Sequence, residues 1–367
     1  MQQLFLLGKG KLEWREVVTP RLEGPLEALV RPFAVAKCDL DHAMLENRMG
    51  VKLRAGRALG IVDPDFERYF GGLFDTPLPF GHECVAEVVD IGKKVVGFEV
   101  GDVVSVPFQI SCGTCTHCSE DHTSICSSVP SVAVYGFGRH KQFGGAMCDL
   151  LKVPFADGML VKLHEGADME HLASLGDNVA DAYRHVGPAL EEDKNRSVLV
   201  VSGVARSIAI YTVLIARAMG ARHIAFVDSR EAQRKLALRV GADAAVGSCR
   251  ELRDSYDIVV DCCAPKKELV AGIAKVKPFG TLSSTGWHFK KTLLPLMQMH
   301  AIGMTFRIGL CNARDGASRV AKLIEDGRLS LAPATTKIDD WSNAIDAFLA
   351  DSSKIIVHRA RIHMPGR

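Results

Sequence analysis

Cys112, Cys115 and Cys118 stand two residues apart, and Cys126 follows after seven more. Thiolates crowded this closely suit a tetrahedral Zn²⁺, with about 2.3 Å per Zn–S bond. Four sulfur ligands fill the coordination sphere, so this ion has no open position and serves the fold. The spacing marks a small structural zinc lobe over about residues 109–129. Two disulfides are the other use of four cysteines. The N-terminal stretch argues against them, because Met1–Gly8 has a short apolar run, no basic leader and the look of a first strand. A cytoplasmic location, where thiols stay reduced, is therefore expected.

A chain of 367 residues is long for one hydrophobic core and suggests two domains. Its 47% hydrophobic and 24% charged residues fit a folded globular protein. A net charge of +2 gives no electrostatic case for nucleic acid or an acidic membrane. No apolar run reaches the roughly 20 residues that span a bilayer, and the apolar segment Ile208–Met219 carries Arg217. The isolated cysteines, such as Cys262, Cys263 and Cys311, read as small buried hydrophobes.

The two halves differ in pattern. To about residue 165, short β-like runs such as Leu26–Val35, Cys84–Ile91 and Asp102–Pro107 alternate with Gly and Pro, which predicts a β-rich domain. Residues 43–79 interrupt it with mixed charges, including Arg54, Arg57, Asp63 and Glu67, and no clear period. That segment reads as an irregular loop or surface insertion. Later, Ser197–Ser202, His223–Asp228, Tyr256–Cys262 and Gly280–Ser284 read as strands, with helices over Ile208–Met219 and Glu231–Val240. Strands alternating with helices imply right-handed crossovers and a doubly wound α/β parallel sheet of nucleotide-binding type. Two amphipathic helices, Ala317–Gly327 and Ser342–Ala350, and a strand Lys354–His358 close the chain.

In such a sheet the first strand–turn–helix places amide N–H groups beneath a pyrophosphate. The turn here, Ser202–Ala209, holds a single glycine, Gly203, with Ala209 small enough for close packing and Arg206 and Ser207 in reach of phosphate. Asp228 ends the second strand, where a carboxylate accepts from a ribose 2′-OH and repels a 2′-phosphate. This favours NAD, while Arg230 nearby is compatible with NADP.

Cys38-Asp39-Leu40-Asp41, Gly81-His82-Glu83, the cysteine cluster and the nucleotide-type fold follow one another in an order that resembles the zinc-dependent medium-chain alcohol dehydrogenase family. Asp177 in Leu175–Asn178 and the run Gly303–Gly309 look most like its formaldehyde dehydrogenase-type branch. The resemblance implies a GroES-like catalytic domain over 1–170 and 313–367, with a Rossmann domain over 171–312. It implies a second, catalytic zinc held by Cys38, His82 and Asp177, with Asp41 orienting His82 and Glu83 beside the metal. It implies hydride transfer between NAD(H) and a small-molecule alcohol, aldehyde or ketone, in a homodimer or homotetramer. The apolar run Leu293–Phe306 would suit the subunit contact, and Leu40, residues 43–79 and residues near Tyr135 and Trp287 would line the substrate pocket.

Two departures from the family pattern keep alternatives open. Leu40 stands where the family usually has a hydroxyl residue, and Ala43 where it has a relay histidine, so His42 is the expected proton shuttle. The turn at Gly203 is poor in glycine. An NADPH-dependent reductase of the same fold, or a zinc-stabilised binding protein without catalysis, are the other readings.

Overall fold

The structure is a computed structural model. It describes residues 1–46, 48–62, 64–164, 166–288, 292–351 and 354–362. Asp63 and residues 363–367, which belonged to the expectations above, lie outside the described residues. The chain forms two units, Met1–Asp177 with Asn312–Ala321 and Thr335–Arg367, and Asn178–Cys311 with Lys322–Ala334.

The first unit is built on antiparallel sheets. β1 (Gln2–Gly8) pairs with β2 (Lys11–Glu16), and its other edge meets β4 (Leu78–Pro79). β3 (Ala28–Ala36) pairs with β5 (Glu83–Ile91), β5 with β6 (Val103–Val106), and β6 with β8 (Val161–Lys162), while β7 (Leu151–Val153) joins β3. β3 is apolar along nearly its whole length and almost wholly buried, and β5 is buried from Glu83 to Val88, acids included, as strands covered on both faces must be.

Much of residues 43–79 is helical where the sequence reading expected irregular chain. Helices span Asp39–Glu46, Arg48–Ala58 and Pro64–Phe70. The second of them has no apolar stripe to betray it. Ion pairs knit the segment instead: Arg57 reaches Glu67 at 3.0 Å and Asp75 at 3.1 Å.

The second unit holds a six-stranded parallel sheet, in the order β11-β10-β9-β12-β13-β14 among the described residues. Its strands are β9 (Ser197–Ser202), β10 (His223–Val227), β11 (Ala244–Val246), β12 (Tyr256–Cys262), β13 (Val276–Ser284) and β14 (Thr305–Ile308). Helices Arg206–Ala218, Glu231–Arg239 and Lys266–Ile273 supply crossovers. The sheet core is aliphatic, with Leu199, Val201, Val227, Val259 and Leu282 essentially without solvent exposure. The helix Ala180–Glu192 was hidden from sequence reading by Pro188 within it. The chain then returns to the first unit through β15 (Lys337–Asp340) and β16 (Ile355–His358), which pairs with β3.

Candidate metal centres and nucleotide cavity

The cysteine lobe is held in the first unit between two anchored points. Ile110 donates its amide to the Ala133 carbonyl at 2.9 Å, and Tyr135 donates to Phe108 at 2.9 Å. Within the lobe the four thiols converge, all within 4.8 Å of one another. A tetrahedral ion with Zn–S bonds of about 2.3 Å separates its sulfurs by about 3.8 Å. Cys115 and Cys126 are 3.9 Å apart. Burial works against the Cys112 thiolate, but the Ser128 hydroxyl and the amides of Thr114 and Cys115 bring its pKa down to about 7. Hydrogen bonds led by the Ser127 side chain bring Cys115 down to about 5. Burial pushes Cys118 up to about 12 and Cys126 upward. Two thiols thus ionise readily and two resist, so full ionisation of the cluster calls for a cation. The residues fit a zinc ion.

Strand register assembles the second cluster. Ala36 pairs with Glu83, so Cys38, just past β3, and His82, just before β5, become neighbours. Cys84 pairs with Val106, and Phe108 beyond β6 donates to the Gly176 carbonyl at 3.2 Å, which brings in Asp177. Cys38, His82, Glu83 and Asp177 present ligand atoms within 4.8 Å of one another. Cys38 Sγ accepts the amides of Leu40 at 3.2 Å and Asp41 at 3.4 Å, while Asp41 Oδ2 accepts the Cys38 amide at 3.0 Å.

His82 Nε2 lies 3.2 Å from Asp177 Oδ2, and Nδ1 lies 3.4 Å from Asp41 Oδ1, all but Asp177 fully buried. Burial opposes charge on the His82 imidazole, but Asp41, Cys38 and Asp177 hold its pKa well above the usual value. Burial pushes the Cys38 thiol up. The Nδ1–Asp41 contact is longer than a good hydrogen bond, and both atoms are otherwise unsatisfied. A cation at Nε2 would localise the ring proton on Nδ1 and give Asp41 its donor, the arrangement metal-bound imidazoles use. Sulfur, nitrogen and oxygen donors with such an orienting carboxylate fit zinc.

Sequence reading missed one member of this centre. Lys354, 1% exposed, sends Nζ to Glu83 Oε2 at 3.1 Å and Oε1 at 3.3 Å. Burial pushes the Glu83 carboxyl up to about 7, with Lys354 opposing the rise and Asp177 adding to it. Pairing of β16 with β3 delivers Lys354, and a single lysine at a strand start carries no sequence signal for that. His42 lies on the helix Asp39–Glu46, its Nε2 4.0 Å from Glu46 Oε1. The Tyr135 ring is buried, and its hydroxyl donates to the Lys152 carbonyl at 3.0 Å.

In the second unit a cavity of about 620 Å³ opens at the C-terminal ends of β9, β10 and β12, where doubly wound sheets bind ligands. Gly203, Asp228, Arg230 and Trp287 line it. Arg206 and Ser207 begin the helix Arg206–Ala218 and are not among the lining residues; Ser207 is buried.

The turn differs from a phosphate cradle in its amides. Val204 N–H donates to the Cys263 carbonyl at 3.2 Å, and Ala205 N–H to the Cys262 carbonyl at 3.3 Å. A Cβ on Gly203 would fall 2.0 Å from the Cys263 oxygen, so only glycine fits. Asp228 is occupied as well. Arg230 donates from Nε to Oδ1 at 2.8 Å and from its terminal nitrogen to Oδ2 at 2.6 Å, and also to the Gly203 carbonyl at 2.7 Å. Burial would raise the Asp228 carboxyl, but Arg230 holds it below its usual range.

Known proteins resemble this chain in sequence and fold. Residues 24–165 match the alcohol dehydrogenase GroES-like domain, and residues 207–325 match the zinc-binding dehydrogenase family. The chain is 27% identical over 298 residues to L-threonine 3-dehydrogenase of Shewanella sp. (strain ANA-3), covering 77% of this chain and 83% of that enzyme. Its fold superposes on alcohol dehydrogenase TADH from Thermus sp. ATN1 with a TM-score of 0.82 at 24% identity, over 98% of this chain and 99% of the other. An NADP-bound zinc-binding dehydrogenase from Sinorhizobium meliloti 1021 superposes with a TM-score of 0.75 at 20% identity, over 98% and 99% of the two chains.

Proposed function

This chain belongs to the zinc-binding, medium-chain alcohol dehydrogenase family, oxidoreductases acting on alcohols, and from that premise we propose the reaction and the residues that carry it. The reading is an alcohol dehydrogenase with one structural and one catalytic zinc, exchanging hydride between NAD(H) and a small-molecule alcohol or its carbonyl partner. The convergence of Cys38, His82 and Asp177 beside Asp41 is the observation that carries it. Bound there, zinc would supply Lewis acidity toward the substrate oxygen, and the nicotinamide would supply the hydride acceptor. Cys38, His82 and Asp177 would hold the ion. Asp41 fixes the tautomer and plane of His82, and Lys354 holds the Glu83 carboxylate. Leu40 offers no hydroxyl, so His42 takes the substrate proton. Asp177 and the run Gly303–Gly309 support a place near the formaldehyde dehydrogenase-type branch.

NAD is our first choice of cofactor, from Asp228 at the end of β10. One observation favours NADP as the second reading: Arg230 already occupies both Asp228 oxygens. A single set of kinetics tests these points. We expect alcohol oxidation with a higher kcat/KM for NAD than for NADP, and a pH–rate profile that His42→Ala alters. A preference for NADP moves the second reading ahead, an unaltered profile removes His42, and turnover with neither nucleotide removes the dehydrogenase reading.

We further assign a homodimer or homotetramer. β14 has no strand on its outer side among the described residues, and Leu293, Leu296 and Met297 nearby in the chain are strongly exposed. Light scattering that returns only monomer would refute this.

A further inference from the structure

The nucleotide cavity lacks the usual amide cradle but carries a cationic wall. Its acids are satisfied internally. Asp228 is held by Arg230, and Glu268 accepts from Ser248 Oγ at 3.0 Å and the Cys249 amide at 2.9 Å. The remaining charged lining is Lys266, Lys267 and His288, the two lysines exposed at the start of the helix Lys266–Ile273. His288 is anchored from behind. Its Nε2 lies 2.7 Å from Asp261 Oδ2, and Asp261, 1% exposed, also accepts Ser284 Oγ at 2.6 Å and the Ala264 amide at 2.9 Å. Asp261 is the last acid of β12 before the loop that closes on Gly203, so the pair is tied into the same turn.

We propose that His288, held by Asp261 and flanked by Lys266 and Lys267, is the phosphate-recognition side chain of this cavity, replacing with side chains the amides of a glycine-rich turn. The inference rests on the reading of the cavity as a nicotinamide-dinucleotide site and names how its diphosphate is held. With Nε2 committed to Asp261, protonation adds a second donor, Nδ1–H, and a full positive charge. Among the described residues, the charged groups that act on the ring are Asp261 at the end of β12, which also accepts Ser284 Oγ of β13, and Lys266 of the following helix. Behind Ser284 lies Arg184 of the helix Ala180–Glu192, whose guanidinium donates to the Ser284 carbonyl and pairs with Asp181. The hydrogen bond to Asp261 raises the His288 pKa, while burial and Lys266 oppose it. A diphosphate binds the protonated ring, so affinity is full below that pKa and falls as pH rises through it.

The test is calorimetric titration of the full-length, zinc-loaded protein with ADP-ribose, whose diphosphate does not change charge near neutrality, and with adenosine as the phosphate-free control. ADP-ribose should weaken about tenfold between about pH 6 and about pH 9, the scale of one charge-assisted contact, while adenosine stays flat. His288→Gln should bind ADP-ribose weakly at every pH. His288→Lys should restore tight binding and remove the inflection. Asp261→Asn should move the inflection to lower pH, because the carboxylate that raises the imidazole pKa is gone. Lys267→Gln, at an exposed position safe for folding, should weaken ADP-ribose at low salt and lose that effect at high salt. If His288→Gln keeps the wild-type affinity and pH profile, or Lys267→Gln binds as wild type at low salt, the inference falls and the nucleotide reading stands. If the wild type binds none of ADP-ribose, NAD and NADP, both fall.

Discussion

Replacing His82 by alanine is expected to halve the zinc content of the purified protein, from two ions per chain to one, and to lower kcat/KM for alcohol oxidation by about 10³-fold or more. The size follows from the several kcal/mol that a Lewis acid contributes to a developing alkoxide, each 1.36 kcal/mol being about a factor of ten. Asp177→Ala should behave the same way, because both side chains meet in one cluster at 3.2 Å. The remaining ion should survive both changes, since Cys112, Cys115, Cys118 and Cys126 share no residue with that cluster. Elemental analysis beside steady-state kinetics checks both numbers. Two zincs retained in the His82 variant would show that the second ion sits elsewhere.

Lys354→Met should cost about 3–5 kcal/mol of stability, the range for removing one partner from a buried ion pair. Glu83 has no solvent exposure, so its buried carboxylate is left without the cation that pairs with it. The second change Glu83→Gln should recover most of the loss, because a neutral amide carries no charge to desolvate. The measurement can be confined to one unit. Trp287 lies in the nucleotide unit, whereas Trp14 and Trp341 lie in the other. In a Trp287→Phe background, tryptophan fluorescence during urea unfolding therefore follows the metal-bearing unit alone. A midpoint unchanged by Lys354→Met would mean that the pair contributes nothing there.

The parallel sheet was legible in the sequence because its strands are continuous apolar runs, and β9 and β12 fall on the residues read as strands. The cysteine lobe was legible because its ligands crowd into fifteen positions of chain, Cys112–Cys126. Cys38, His82 and Asp177 were legible only through the order of motifs in a family, since each residue alone is ordinary. Three things were not legible. The helix Arg48–Ala58 carries no periodic apolar stripe, and its Arg57 meets Glu67 and Asp75, partners that sequence alone does not pair. Arg230 reads as an available cation, yet the fold spends it on Asp228 and Gly203. His288 and Asp261 sit 27 positions apart with no motif between them, and only the parallel pairing of β12 with β13 makes them partners.

The pairing of Glu83 with Lys354 spans 271 positions, and the whole nucleotide unit is encoded between them. Synthesis therefore delivers the acid long before its base. As the chain emerges, the parallel sheet has all its strands by Ile308 and can close, while the metal-bearing unit still waits for β16. The cluster around His82 has its full set of neighbours only once β16 has been made, after every strand of the parallel sheet.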